Sequence, residues 1–125
     1  MATPARKTIL LVDDEQSMLK VLERRLVSWG FDVLLADNGK DALRFAAERT
    51  PDLILLDVMM PELDGLEVCR RLKAARATSG IPIILVTVKA TQLTAEEIKA
   101  SRAFRVIDKP YQSEELEEAV RAALA

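Results

Sequence analysis

Histidine is absent from this 125-residue chain, and cysteine occurs once, at Cys69. Without histidine the chain cannot itself carry a phosphohistidine, and with a single thiol it forms no internal disulfide and lacks the ligand sets that zinc prefers. Positive charge is not in excess either. Eighteen basic side chains stand against 20 acidic ones, for a net charge of -2, which excludes the basic stripe of a nucleic-acid module. Long apolar runs are missing as well. The longest, at residues 8–12 and 81–88, fall far short of the roughly 20 residues a membrane span needs, and the polar start at residues 1–7 holds no apolar signal region. A cytoplasmic protein without membrane or nucleic-acid contacts is expected. Glycine is also sparse, and no glycine-rich phosphate loop exists, which argues against a nucleotide-binding flavodoxin-like or Rossmann role.

What remains has the make-up of one ordinary globular domain, half apolar and 30% charged, and long enough to bury a real core. Residues 1–6 read as a tail and 7–125 as the folded unit. Along that unit a short β-branched or leucine-rich run is followed by a longer segment of helical period, five times over. Strands are expected at residues 8–12, 31–36, 53–56, 83–86 and 104–107. After the first, Met18, Leu22, Leu26 and Trp29 share one helical face, and Gly30 ends that helix. The second helix, about residues 40–49, turns Leu43, Ala46 and Ala47 inward and stops before Pro51. Asp64 with Glu67 opens a third helix burying Leu66, Cys69 and Leu72, and Thr94 with Glu97 forms a capping box for a short fourth. Ser113 is expected to cap the last helix, whose Leu116, Ala119, Val120, Ala123 and Leu124 make a core-facing stripe. Arg24-Arg25 and Arg70-Arg71 read as solvated faces, and Trp29 and the methionines as packing residues.

Strands apolar on both faces and alternating with helices predict an α/β doubly wound (βα)5 sandwich. Its five-stranded parallel sheet should have the flavodoxin-like order 2-1-3-4-5. Function in such sheets concentrates beyond the carboxyl ends of the strands. Asp13-Asp14, Asp57, Thr87 and Lys109 all fall there. Three carboxylates brought together repel unless a cation neutralises them, and an all-oxygen set without histidine or cysteine suits Mg2+. A nearby lysine binds phosphoryl oxygen and a carboxylate can be the nucleophile, so the set reads as phosphoryl transfer.

Val12-Asp13-Asp14-Glu15, the run Leu55-Leu56-Asp57-Val58-Met59-Met60-Pro61-Glu62-Leu63-Asp64-Gly65, Val86-Thr87 and Asp108-Lys109-Pro110 together resemble the four marks of response-regulator receiver domains of two-component signalling. The resemblance spans about residues 7 to 125. It implies that Asp57 accepts the phosphoryl group and that Asp14 binds Mg2+ directly. Asp13 would bind it through water, and Met59 through its backbone carbonyl. It further implies that the Thr87 hydroxyl moves toward the phosphoryl group, that Lys109 contacts it, and that the Lys109-Pro110 bond is cis. The implied partners are a histidine kinase or phosphotransfer protein and an unknown effector, with the chain a monomer or weak dimer. No independent enzyme is expected beyond its own phosphorylation and slow autodephosphorylation.

Three positions depart from the family pattern. Val106 stands where an aromatic switch residue is usual, Arg102 where a glycine is, and Val88 where a small residue follows the threonine. Val88 is expected to point over Asp57 and obstruct it. These departures keep open a second reading, a pseudo-receiver that docks partners without phosphorylation. A haloacid-dehalogenase-like phosphatase would need a second aspartate at the position Met59 occupies. Without an effector domain in these residues, output is expected through a partner, or from a longer protein of which this is a part.

Overall fold

The computed structural model describes residues 6–88 and 90–125; most of the expected tail therefore lies outside the described residues. The chain alternates strand and helix throughout. β1 (Thr8–Val12), α1 (Gln16–Ser28), β2 (Asp32–Ala36), α2 (Gly39–Arg49), β3 (Leu53–Asp57) and α3 (Gly65–Ala74) come first. β4 (Ile83–Thr87), a 3-10 turn (Ala90–Gln92), α4 (Ala95–Ser101), β5 (Arg105–Asp108) and α5 (Ser113–Leu124) complete it. The five strands form one parallel sheet in the order β2-β1-β3-β4-β5. This is the order expected from the sequence.

A parallel sheet covered on both faces must bury both side-chain sets of its central strands, and every residue of β3 and β4 is buried. Alternation then divides the core in two. Leu10, Ile54, Leu56 and Leu85 pack against α2 and α3, while Ile9, Leu11, Leu55 and Ile84 pack against α1 and α5.

Several local expectations are corrected. On α1 it is Leu19, with Leu22 and Leu26, that is buried, and Met18 is only partly covered. On α2 Ala42 is buried and Ala47 is exposed, because the inward stripe runs through 39, 42 and 46. Ser113 is the first residue of α5; Gln112 holds the cap position without a side-chain cap bond. The fifth strand begins at Arg105, so Phe104 lies outside it and is exposed. The capping box of Thr94 and Glu97 is present, and Asp64 accepts from the Glu67 N–H at 2.9 Å. Arg102, at the expected glycine position, closes α4 with a left-handed backbone at φ 58.

Cys69 is fully buried on α3, where its thiol donates to the Ser101 carbonyl at 3.2 Å and so ties α3 to the end of α4. Burial pushes this thiol up to about 11, against the smaller opposing effects of Lys73, the Ser101 contact and Arg102. Thiolate is the reactive form, so both access and ionisation protect it. The folded protein should leave Cys69 unmodified by iodoacetamide at pH 8 and modify fully in denaturant, as read by intact mass. Rapid labelling of the folded chain would show that the α3–α4 contact is open.

Candidate phosphoryl-transfer site

Two neighbouring central strands, β1 and β3, each lead into an aspartate at the carboxyl edge of the sheet. Asp13 follows β1, and its N–H continues the sheet pairing by donating to the Ala36 carbonyl at 3.2 Å. Its Oδ1 then accepts the Glu15 N–H at 2.9 Å, a local turn that redirects the chain into α1. Asp57 ends β3, and its Oδ1 accepts the Met59 N–H at 3.1 Å, which turns the chain away from the sheet in the same manner. The return of that loop is close. Gly65 donates to the Val58 carbonyl at 3.0 Å, and a Cβ there would stand 2.2 Å from the Asp57 carbonyl oxygen. Only glycine fits this approach.

Asp13 is 2% exposed, Asp57 7%, and Asp14 lies open to solvent; a carboxylate oxygen of each lies within 4.8 Å of the others. Lys109 faces them from the end of β5, placed there by its N–H bond to the Thr87 carbonyl at 3.0 Å. Its ammonium donates to Asp13 Oδ2 at 2.9 Å and stands 3.6 Å from Asp57 Oδ2, an ion pair without a hydrogen bond. Burial raises the Asp57 carboxyl above its ordinary range. The Met59 N–H and Lys109 pull it down, and the charges of Asp13 and Asp14 add to the rise. For Lys109, burial disfavours the charged form, but the Asp13 hydrogen bond and the two carboxylate charges outweigh it, so the ammonium is held more firmly than usual.

Beside these groups lies a cavity of about 590 Å³ lined by Asp14, Asp57, Met59, Val88, Lys109 and further residues of α1 and the loop after β5. Hard oxygen donors within a few ångströms of one another, with no nitrogen or sulfur ligand, are the donor chemistry that magnesium takes. The residues present fit that ion.

The family model of the response regulator receiver domain matches residues 9–121. The chain belongs to that family.

Among its relatives, the receiver is 38% identical over 118 residues to the alkaline phosphatase synthesis transcriptional regulatory protein PhoP of Bacillus subtilis. That match covers 94% of this chain and 48% of PhoP. It is 40% identical over 119 residues to the DNA-binding response regulator MtrA of Mycolicibacterium paratuberculosis, covering 95% and 52%. The chain thus spans about half the length of these curated relatives. Among solved structures it superposes with a TM-score of 0.88 on the receiver domain of sensor histidine kinase PA1611 from Pseudomonas aeruginosa, at 32% identity. That superposition covers 96% of this chain and 98% of the other, whose active-site cleft holds a magnesium ion.

In this receiver the expected residues Asp13, Asp14, Asp57 and Lys109 come together, and Met59 lines the same cavity. Thr87, at the end of β4, is fully buried and is not part of the cavity wall. The Lys109-Pro110 bond is cis. Val88 lines the same cavity as Asp57 and is 62% exposed. Val106, in the usual aromatic position, is half-buried and packs with the α2–α3 side of the core. The α1 wall went unforeseen. Arg25, read as solvated, is partly buried and lines the cavity with Met18, Val21 and Tyr111.

A carboxyl whose folded pKa lies above its unfolded value costs no stability below the ordinary carboxyl range, near 3.8, and costs increasingly as pH rises through the folded value. In metal-free buffer Asp57→Asn should therefore raise the melting temperature at pH 7, and the gain should vanish below pH 3.8. An equal gain at both pH values, or a loss at neutral pH, would contradict a burial penalty on the charged Asp57 side chain.

Proposed function

We propose that this receiver domain takes a phosphoryl group onto Asp57 from a histidine kinase or phosphotransfer protein, in a magnesium-dependent reaction, and signals through altered partner binding. The observation that carries this reading is the gathering of three carboxylate oxygens within 4.8 Å of one another under a lysine that pairs with two of the three aspartates. Such a group is costly to bury, and phosphoryl transfer is a use that accounts for all of its members.

Magnesium would be held by Asp14 and Asp57 directly, by Asp13 through water and by the Met59 carbonyl, and when bound it would neutralise charge on the transferring group. The chain's own residues do the remainder. The Asp57 oxygen attacks phosphorus while the bond from phosphorus to the donor imidazole nitrogen breaks, giving an aspartyl phosphate. Its Oδ1 is steadied by the Met59 N–H, which leaves Oδ2, the oxygen facing Lys109, to react. Lys109 would exchange part of its contact with Asp57 for a phosphoryl oxygen while keeping its bond to Asp13. The hydroxyl of Thr87, buried at the end of β4, would move toward the phosphoryl group. Slow attack by water returns the free carboxylate. As a switch, the phosphoryl group biases a pre-existing pair of conformations toward the one that binds it better.

The alternative, a module that binds partners without phosphorylation, draws on Val88 and Val106 alone. Transcriptional regulation and DNA binding are named for relatives about twice as long; for these residues we assign only the phosphoryl-accepting step and an output through changed contacts, as a monomer or weak dimer.

Incubation with acetyl phosphate and Mg2+ should add one phosphoryl group to the protein, read by intact mass. Asp57→Asn should abolish the addition, since an amide is nearly isosteric but not a nucleophile. Asp14→Ala should lose calorimetric Mg2+ binding and labelling together. Full labelling of Asp57→Asn, or unchanged Mg2+ binding by Asp14→Ala, would refute the assignments of those residues.

A further inference from the structure

The cavity beside Asp57 is larger than a phosphoryl group requires. At about 590 Å³ it lies within the range of sites for small organic ligands, about 300–1,000 Å³. Its direction follows from α1. Met18, Val21 and Arg25 line it at a spacing of three and four residues, so they share one helical face, with the acidic cluster at the helix's amino end. Seven residues separate Met18 from Arg25, two helical turns, which carries the groove about 10 Å along the helix at the standard rise. Pro110 and Tyr111, from the loop after β5, also line it. The near end is therefore built for a phosphoryl group, the middle is apolar, and the far end carries a guanidinium.

Arg25 makes no salt bridge to any described residue, although it is partly buried. Its positive charge works against the rise that burial causes in the half-buried Tyr111 phenol, another residue lining the groove. A planar fork of donors without a partner, at the end of an apolar channel, matches a carboxylate in charge and shape.

We propose that the groove selects small-molecule phosphodonors, and that it takes an acyl phosphate with a medium-length apolar chain ending in a carboxylate that binds Arg25. This rests on Asp57 being the phosphoryl acceptor and adds the class of donor. An Asp57 oxygen attacks phosphorus, the P–O bond to the acyl group breaks, and the acid leaves as its carboxylate. Charges and atoms balance without a further reactant. The apolar body lies along Met18, Val21, Pro110 and Tyr111, contacts that acetyl phosphate is too short to make.

Three donors separate the parts of this idea. Acetyl phosphate has no tail, octanoyl phosphate has an apolar tail, and suberoyl monophosphate has the same tail ended by a carboxylate. With Mg2+ present, second-order labelling rates by intact mass should rise in that order. The terminal carboxylate should contribute about tenfold, the equivalent of one charge-assisted contact. Ratios between donors are the readout, so a general change in site reactivity cancels. Arg25→Gln should collapse the suberoyl-to-octanoyl ratio to about one, and Val21→Asn, at a half-exposed position, should lower the octanoyl-to-acetyl ratio. Equal rates for all three donors would overturn the inference while leaving Asp57 as acceptor, and would leave the groove to a protein partner. Retention of the suberoyl preference in Arg25→Gln would overturn it too. Failure of every donor to label the wild-type chain would instead refute the reading of Asp57, and the inference with it.

Discussion

Two buried carboxylates share one ammonium, and the carboxyl edge of the sheet is organised around that shortage of positive charge. Asp13 and Asp57 sit at the ends of adjacent central strands, where both are largely buried. Lys109 is committed to Asp13 at 2.9 Å and reaches Asp57 only at 3.6 Å. Removing the ammonium would leave both buried carboxylates uncompensated, a change that typically costs about 3–5 kcal/mol. Burial therefore weighs against the charged form of Asp57, a penalty that the proposed divalent cation would relieve. The fully buried β3 and β4 beside the site supply the rigidity that makes this tolerable.

The backbone contributes as much as the charges. Short turns closed by the aspartates' own side chains convert strand into helix at Glu15 and aim the chain away at Met59. Gly65 lets the following loop lie directly on the Asp57 backbone. The two turns fix the Oδ1 atoms of Asp13 and Asp57, which leaves Asp57 Oδ2 as the oxygen nearer Lys109. Positioning of this kind is where most of the effect of phosphoryl-transfer sites lies.

Much of this was legible in the sequence, for identifiable reasons. Parallel strands buried on both faces leave unbroken apolar runs, so β1, β3 and β4 were visible to within a residue, and the aspartates, Thr87 and Lys109 fell at strand ends by counting alone. Helix faces were harder to read. Met18 fits the apolar stripe of α1 by period, yet Leu19 takes the core position, because Met18 sits at the edge of the core where the cavity begins. Alanine carries too little apolar surface to fix the rotation of α2, and Ala47 came out exposed for that reason. Arg25 and Tyr111 were missed because their meeting depends on how α1 leans toward the loop after Lys109, a tertiary relation without a local signature. The departures at Val88 and Val106 leave the acidic cluster untouched. Val106, half-buried, packs against the core where an aromatic residue is usual.

The central claim concerns one atom group, and chemical trapping reports on it directly. Borohydride reduces an aspartyl phosphate to homoserine, which marks the acceptor by a mass change that survives digestion. After phosphorylation and reduction, peptide mapping should find homoserine in place of the aspartate at position 57 and at no other acidic residue. Homoserine at position 13 or 14, or none anywhere in a protein that has taken up phosphate, would contradict the account.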